Sequence, residues 1–347
     1  MRAMAKKKPS GVGRQWLYDL MEKPVGRLYV LYGEETFRRD AAVGILKNRL
    51  VDPSLEMFNY RAFEGKALTP EALSEALDRP PMMAERTLIL VRDLDVYKSK
   101  WLEPILKDIP DYACLVFVYD VLECKPDART KLHAAITAAG ELAEFTPAPP
   151  DELAAWIRSR CKGLGTRIGT DEIRLLVSRC GGLMQGLAGE IDKLCLYAGK
   201  TVTARDIEEA TSAVPEAQVF RLCDALSVRD GRAALRGLAA LEAAREEAIP
   251  VLALIGRQMR NLYTARLVLD AGGTSDEIGT LCRFRFAFQT DSVVRAARRL
   301  SLPGLREALR LCADADYALK SSRAGDYDVL RDLVLALYRA LGKENAA

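Results

Sequence analysis

The first 150 residues of the chain alternate short apolar runs with segments of helical composition. Five runs have the length and the β-branched and aromatic content that strands favour, and they are Tyr29–Tyr32, Met57–Phe63, Thr87–Val91, Leu115–Tyr119 and Leu142–Phe145. Helical composition separates them, as in Phe37–Leu50, Pro70–Leu77 and Lys131–Ala139. Strands that alternate with helices predict a parallel sheet covered on both faces.

This pattern stops at Thr146-Pro147-Ala148-Pro149-Pro150, because a residue before proline is pushed out of helical geometry. Asp151 is the expected N-cap of the next helix, and all later segments have helical composition. Compact helices are predicted first, at Asp151–Cys161, Thr170–Cys180, Leu183–Tyr197 and Thr203–Ala210. Longer ones follow a second boundary near Val214-Pro215, at Phe220–Leu226, Gly231–Ala244, Ile249–Ala271, Asp276–Thr280, Thr290–Leu300, Pro303–Lys320 and Tyr327–Leu341.

The predicted organisation is therefore α/β followed by all-α. We expect a leader and first helix in 1–25, a sheet domain in 26–147, a small helical domain in 148–213 and a C-terminal helical domain in 214–347. Lys6-Lys7-Lys8 has no apolar stretch behind it, so the start is not expected to be a secretory signal. No run approaches the roughly 18 apolar residues that a membrane span needs, so no membrane partner is expected.

Composition narrows the function only slightly. The 51 basic and 48 acidic residues leave a formal net charge of +3, which permits a nucleic-acid partner without arguing for one. The eight cysteines lie at least ten residues apart, whereas zinc and redox motifs have close pairs. We expect most of them to be buried, reduced thiols of a cytoplasmic protein, with no metal site.

The turn after the first strand has the position of a phosphate-binding loop but lacks its parts. Gly33-Glu34-Glu35 lies between that strand and a helix predicted to begin near Thr36. A P-loop needs several glycines, a Lys and a Ser or Thr, whereas this turn has one glycine and two carboxylates that would repel a nucleotide.

A second motif, Gly199-Lys200-Thr201, is similar to the end of a P-loop. Leu194 replaces the required glycine, and the motif is preceded by a helix where a strand is needed, so a turn is predicted. We expect no cofactor.

No catalytic set is recognisable. Asp93 and Asp120 each follow a strand, where a metal-binding carboxylate could lie, but no Glu follows to orient a water and either residue could simply end its strand. His133 is the only histidine, and it lies on a predicted helix without a neighbouring nucleophile. We therefore predict no catalytic residue.

Two segments remain open to more than one interpretation. Pro81, Met82 and Met83 could form an apolar wedge on a stiffened loop, although inward packing beneath the next strand is the simpler reading of the residues alone. In the last domain, Arg257 and Arg260 precede Arg283-Phe284-Arg285-Phe286-Ala287-Phe288, and further arginines follow at 295, 298 and 299. The interleaved Arg and Phe suit phosphate contact and base stacking, or a core of rings with solvated guanidinium groups, which we favour slightly.

Several motifs resemble, in their order, the delta subunit of the bacterial DNA polymerase III clamp loader. They are Leu31-Tyr32-Gly33-Glu34-Glu35, Asn59-Tyr60-Arg61-Ala62-Phe63-Glu64-Gly65, Pro81-Met82-Met83-Ala84-Glu85-Arg86, Gly182-Leu183-Met184, Glu190-Ile191-Asp192-Lys193-Leu194, Val219-Phe220-Arg221-Leu222, Ile255-Gly256-Arg257-Gln258-Met259-Arg260 and Ala315-Asp316-Tyr317. The resemblance covers about Gly26 to Leu341. It departs from the family at Met82-Met83, where an aromatic or Leu-Phe pair is common, and around Phe284-Arg285-Phe286, where a His-Pro-aromatic sequence is common.

The resemblance implies an AAA+-like architecture with a RecA-like sheet domain, a small helical lid and a C-terminal helical collar. It implies binding and opening of the sliding clamp (beta) for loading on primed DNA, without a functional ATP site, beside the tau/gamma and delta prime subunits. It also implies that Pro81, Met82 and Met83 form the clamp-binding element, and it reverses the preference for inward packing. Arg257, Arg260, Arg283 and Arg285 become candidates for DNA contact.

The implied protein is an accessory subunit of a DNA-directed DNA polymerase holoenzyme, with no intrinsic catalysis expected. Two alternatives are an active AAA+ ATPase or helicase-loader subunit, which needs a complete P-loop, and a helical DNA-binding adaptor, which needs no parallel sheet. The strand signals before Pro147 speak against the adaptor.

Overall fold

The structure, a computed structural model, describes residues 13–321 and 325–342. Contacts divide the chain into two compact units. Unit 1 comprises residues up to Ala148 together with Leu183–Gln185, and unit 2 comprises Pro149–Gly182 and the chain from Gly186 onward. Lys6-Lys7-Lys8 of the predicted leader lies outside the described residues.

Unit 1 alternates strands with helices. Its elements are α1 (Arg14–Glu22), β1 (Leu28–Tyr32), α2 (Thr36–Leu50), α3 (Glu56–Asn59), β2 (Tyr60–Glu64), α4 (Pro70–Asp78), β3 (Thr87–Arg92), α5 (Leu102–Lys107), β4 (Ala113–Val118), α6 (Lys131–Ala139) and β5 (Glu141–Glu144). Short 3-10 turns at Pro53–Leu55 and Gly65–Ala67 precede α3 and α4. The strands form a parallel sheet in the order β2-β3-β4-β1-β5, so the predicted parallel sheet is confirmed.

Both faces of the sheet are covered, as the alternating pattern predicts. Leu28 and Val30 of β1 join one apolar cluster that includes helices α4, α5 and α6. Tyr29 and Leu31 join a second cluster that includes residues of α1 and α2. Because successive side chains of a strand point to opposite faces, one buried run supplies both cores.

Two local predictions are wrong, and one helix was missed. Met57 and Phe58 lie in α3 rather than at the start of a strand, because the second strand begins only at Tyr60. Asp151 is not an N-cap, since α7 begins at Pro150 with Pro149 before it, and proline is well suited to the first helical position. Helix α5 was not predicted; it is only six residues long and contains a proline.

In the described part of unit 2, helices are joined by turns, and the one β-bridge pairs Arg167 with Thr201. Its helices are α7 (Pro150–Gly163), α8 (Thr170–Cys180), α9 (Met184–Tyr197, whose first residues group with unit 1), α10 (Ala204–Ala210), α11 (Pro215–Ser227), α12 (Gly231–Ala243), α13 (Ala248–Asp270), α14 (Ser275–Leu281), α15 (Ala287–Ala297), α16 (Leu302–Ser321) and α17 (Asp326–Ala340). The predicted helices are confirmed, with ends that shift by a few residues.

Helix α13 is the centre of the larger core of unit 2. Its buried residues Ile255, Met259 and Leu262 recur at helical spacing, and α13 packs against α11, α15 and α16. Among the described residues, no helix has the length and apolar content to cross a membrane.

Candidate functional sites

The turn after β1 is shaped by close approach of the backbone. Gly33 has φ +117°, and a Cβ atom there would lie 2.4 Å from the carbonyl oxygen of Phe145. The backbone N–H of Glu35 donates to that same oxygen at 2.9 Å, and the Phe145 N–H donates to Tyr32 at 2.6 Å. The glycine is therefore required for the packing of the turn against Phe145, whatever the turn binds.

The Glu35 carboxylate lies at a helix N-terminus. Glu35 is fully buried, and its two carboxylate oxygens accept from the backbone N–H of Met184 at 3.2 and 3.3 Å. Met184 is the first residue of α9 and groups with unit 1. A helix N-terminus favours an anion through its unpaired N–H groups and its dipole. In this chain a carboxylate of the turn itself supplies that negative charge.

The two aspartates that follow strands are both engaged in protein contacts. The Oδ1 atom of Asp93 accepts from the backbone N–H groups of Asp120, Val121 and Leu122 at 2.8 to 3.0 Å. Burial alone would raise the pKa of Asp93, but these three hydrogen bonds and the nearby Arg39 lower it below its ordinary value. Asp93 thus has the turn role that the sequence left open.

Asp120 forms ion pairs with two arginines. Arg39, which is almost fully buried, donates to Asp120 at 2.6 Å, and Arg92 pairs with the other carboxylate oxygen. Within the described residues, no group of three His, Cys, Asp or Glu side chains could hold a metal ion.

The loop with the predicted wedge is fixed by a buried asparagine. Asn59 is only 1% exposed, and its amide donates to the Met82 carbonyl at 2.9 Å while its Oδ1 atom accepts from the Met82 N–H at 2.8 Å. One side chain thus pairs with both polar backbone groups of Met82, as a neighbouring strand would. Sequence reasoning missed Asn59, because its partner lies 23 positions away.

Both methionine side chains of this loop are exposed. Met82 is 47% exposed and Met83 is 86% exposed, and Met83 has φ +52°, a left-handed backbone conformation that few non-glycine residues adopt. Met57 and Phe58, the residues before Asn59, are also exposed, at 76% and 45%. The Asn59 hydrogen bonds therefore hold two exposed apolar pairs on neighbouring segments of unit 1.

The four arginines considered for DNA contact have different surroundings. Arg257 and Arg283 are exposed and line one cavity of unit 2. Arg285 is half-buried, donates to the Gly182 carbonyl at 3.0 Å and stacks over Phe286. Arg260 is exposed on α13 and is not among the residues that line this cavity. Burial raises the pKa of the Cys312 thiol to about 11, and the charge of Arg260 opposes this.

The other candidate positions have structural contacts. The Nδ1 atom of His133 lies 2.8 Å from the hydroxyl oxygen of Tyr97, within hydrogen-bonding distance. Gly199-Lys200-Thr201 follows α9, so the prediction of a helix before this motif is confirmed. The Lys200 carbonyl accepts from the Arg167 N–H at 3.0 Å. The eight cysteines are free thiols, and each is buried or half-buried.

Comparisons with known proteins agree with this architecture. Residues 216–337 match the family model described as DNA polymerase III delta subunit, C-terminal domain. The chain is 26% identical over 333 residues to the DNA polymerase III subunit delta of Bacillus subtilis, covering 91% of this chain and 94% of the relative. The solved structure of the Bacillus subtilis DNA clamp loader delta protein (YqeN) matches with a TM-score of 0.58 at 23% identity, covering 94% and 99% of the two chains.

The parallel sheet of unit 1 and the helices that follow it form an AAA+-like fold with an α/β and an all-α part. Within that class, the resemblance to the DNA polymerase III delta subunit, seen first in the order of the sequence motifs, is confirmed.

Proposed function

We propose that this chain is the delta subunit of a clamp loader, in which it binds the sliding clamp and opens it, or holds it open, for loading on primed DNA. The tau/gamma and delta prime subunits would be its partners in the cytoplasm. ATP hydrolysis would come from partner subunits. The observation that carries the proposal is the exposed Met82-Met83 pair on a loop that Asn59 holds in place. Pro81, Met82 and Met83 would enter an apolar pocket of the clamp.

In the proposed mechanism, the free energy of binding to the clamp shifts the clamp towards its open state. A ligand shifts a conformational equilibrium only by the difference in its affinity for the two states. Apolar contact at Met82 and Met83 would supply affinity, and neighbouring surface would favour the open ring over the closed one. No covalent step in this chain is required.

We propose further that this chain does not hydrolyse ATP. Glu35 occupies the N-terminus of α9 with a carboxylate, and the turn that it belongs to has no Lys or Ser. A phosphate brought to this carboxylate would meet repulsion in a buried setting of low dielectric. The competing ATPase function predicts nucleotide turnover by the isolated chain, which a phosphate-release assay measures directly.

Three finer parts of the assignment rest on the resemblance and are proposed with it. They are the division of the helical part into a lid, 148–213, and a collar, 214–347; direct DNA contact by Arg257, Arg260, Arg283 and Arg285; and the absence of intrinsic catalysis from this holoenzyme subunit. Binding of collar fragments to partner subunits would test the first.

The decisive experiment is equilibrium binding of the full chain to the sliding clamp without nucleotide. Burying two methionine side chains contributes about 3 kcal/mol, so Met82→Ala/Met83→Ala should weaken Kd roughly 150-fold. Alanine keeps the same left-handed requirement at position 83, so backbone strain does not change. Met21→Ala removes an exposed methionine from α1 and is the matched control. Binding that survives the double substitution would refute the proposed contact.

A further inference from the structure

Unit 2 brings together two cysteines that are distant in the sequence. Cys161 lies in the last turn of α7, and Cys195 lies in the last turn of α9. Their side chains are hydrogen-bonded to each other, so the two sulfur atoms are neighbours. The spacing of cysteines along the chain does not reveal this pair, because α8 separates the two helices in the sequence. The fold therefore creates a dithiol where the sequence shows no redox motif.

Helical periodicity explains why the two thiols meet. On α7, Leu153, Ile157 and Cys161 follow one another at helical spacing, and all three are buried. On α9, Cys195 lies one turn after the buried residue Ile191. Each thiol thus lies on the inward side of its helix, among the residues that pack the helical part of the chain.

An ion pair fixes the same two helices beside the thiols. The Nε atom of Arg160 donates to one carboxylate oxygen of Asp192 at 2.9 Å, and its Nη2 atom donates to the other at 2.7 Å. Arg160 directly precedes Cys161, and Asp192 lies one helical turn before Cys195. A bidentate pair of this kind sets orientation as well as distance. The thiol pair therefore lies at a defined contact between two helices.

The two thiols differ in their access to solvent. Cys161 is fully buried, whereas Cys195 is half-buried and accessible at the surface. Burial, together with the neighbouring Cys195, raises the pKa of the Cys161 thiol to about 12, so this thiol is protonated at neutral pH. An oxidant from solution needs an accessible sulfur. Cys195 is therefore the sulfur that an oxidant meets first, and Cys161 is placed to react with the product.

A second pair of neighbouring thiols lacks this asymmetry. Cys223 and Cys312 lie close enough in the larger core of unit 2 to influence each other electrostatically, but both are buried. Neither sulfur offers an oxidant the access that Cys195 does, so this second pair has no starting point for the reaction.

We propose that Cys161 and Cys195 form a modification site, at which a peroxide converts the two thiols into a reversible disulfide. First, the Cys195 sulfur attacks hydrogen peroxide, the O–O bond breaks, and a sulfenic acid and one water form. The Cys161 sulfur then attacks the sulfenic sulfur, the S–O bond breaks, and the Cys161 proton leaves with the hydroxyl group as a second water. The thiols lose two electrons in total, and these reduce the peroxide. The disulfide joins α7 to α9.

The test is treatment of the folded, reduced full chain with hydrogen peroxide, followed by alkylation of the remaining thiols, tryptic digestion and mass spectrometry. Trypsin cleaves after Lys and Arg, so the disulfide should appear as peptide 161–162 linked to peptide 194–200. Dithiothreitol should remove the linked peptide. The oxidised chain should unfold at a higher urea concentration than the reduced chain, because the cross-link restricts the unfolded state.

Three variants distinguish the roles of the thiols. Cys195→Ser should lose the linked peptide and the shift in urea midpoint. Cys161→Ala should also lose the linked peptide, but it should accumulate a Cys195 sulfenic acid that dimedone labels, since the second step is blocked. Cys282→Ser is the matched control, because it removes another half-buried thiol of unit 2 and should form the linked peptide at the wild-type rate. Circular dichroism checks that each variant is folded.

Several results would overturn the proposal. One is an oxidised wild-type chain that keeps both thiols, or that carries sulfinic acid at Cys195 without a disulfide. Another is a linked peptide that forms only after unfolding in urea, since the fold would then not position the pair. Loss of the linked peptide in Cys282→Ser would refute the assignment equally. None of these measurements uses the clamp, so they are independent of the proposed contact at Met82 and Met83.

Discussion

The clearest prediction concerns Asn59, which lies beneath the exposed loop and is not expected to touch a partner. Replacing it with alanine removes two hydrogen bonds to the Met82 backbone, of 2.8 and 2.9 Å. Each such bond contributes about 1 kcal/mol net, so the free energy of unfolding should fall by about 2 kcal/mol. Water can satisfy part of the freed backbone because Met82 is half-exposed, which keeps the loss from being larger.

Clamp affinity should fall as well, for an entropic reason. Without Asn59 the residues around Met82 would have to be ordered on binding, and fixing one backbone residue costs about 1 to 2 kcal/mol. We expect a loss of about 1.5 kcal/mol, or a Kd weaker by roughly tenfold. Chemical denaturation would measure the stability, and surface plasmon resonance with immobilised clamp would measure the affinity.

A control variant and a double-mutant cycle separate the expected loss of clamp affinity from general destabilisation. Thr203→Ala breaks the capping box of α10 in unit 2 and should cost about 1 kcal/mol of stability without changing clamp affinity. Adding Asn59→Ala to Met82→Ala/Met83→Ala should cost little further affinity, because no apolar pair remains to be positioned. Wild-type clamp affinity in a destabilised Asn59→Ala protein would refute the reasoning.

Three further outcomes are expected. Asp93→Ala removes three backbone hydrogen bonds and should lower the free energy of unfolding by about 3 kcal/mol at pH 7. Because the pKa of Asp93 is lowered in the folded state, its contribution is present above the ordinary pKa of 3.8 and is lost as pH falls through the folded value, so the urea unfolding curves of variant and wild type should converge in acid. Burial raises the pKa of Cys114 to about 12, so its thiol should not react with a disulfide reagent at pH 8 until the protein unfolds; fast native reaction would contradict this. Lys200→Ala should leave clamp binding and stability within error, and lost nucleotide binding would show that the turn is a phosphate site.

The sheet could be predicted because its strands are buried on both faces and so form continuous apolar runs. Ala113–Val118 is buried at every position and was recognised within two residues. The run from Met57 to Phe63 looks similar in sequence, yet its first three residues are helical and two of them are exposed. Hydrophobicity alone cannot separate an apolar surface from an apolar core, since the difference depends on what packs above it.

The candidate sites were less accessible to sequence reasoning, because they depend on distant pairings. The residues next to Pro81, Met82 and Met83 in the sequence do not determine whether these side chains face the core or solvent. Inward packing is the simpler interpretation of those residues alone. Likewise Phe284, Phe286 and Phe288 are all half-buried, so neither a solvated stacking surface nor a sealed core describes them. A cavity wall is a third arrangement, and it exists only through the packing of α8, α11, α13 and α15.

Asn59 and Glu35 show how buried polar side chains fix distant backbone segments of unit 1. Each is almost fully buried and its side chain bonds to backbone groups distant in sequence, Met82 in one case and Met184 in the other. Such bonds are costly to break, because a buried polar group that loses its protein partner has no water to replace it. A loop that is held in this way can present methionine side chains to solvent without collapsing onto the core. Preorganisation of this kind lowers the entropy lost on binding, so a flexible residue such as methionine can serve where a rigid aromatic would otherwise be needed.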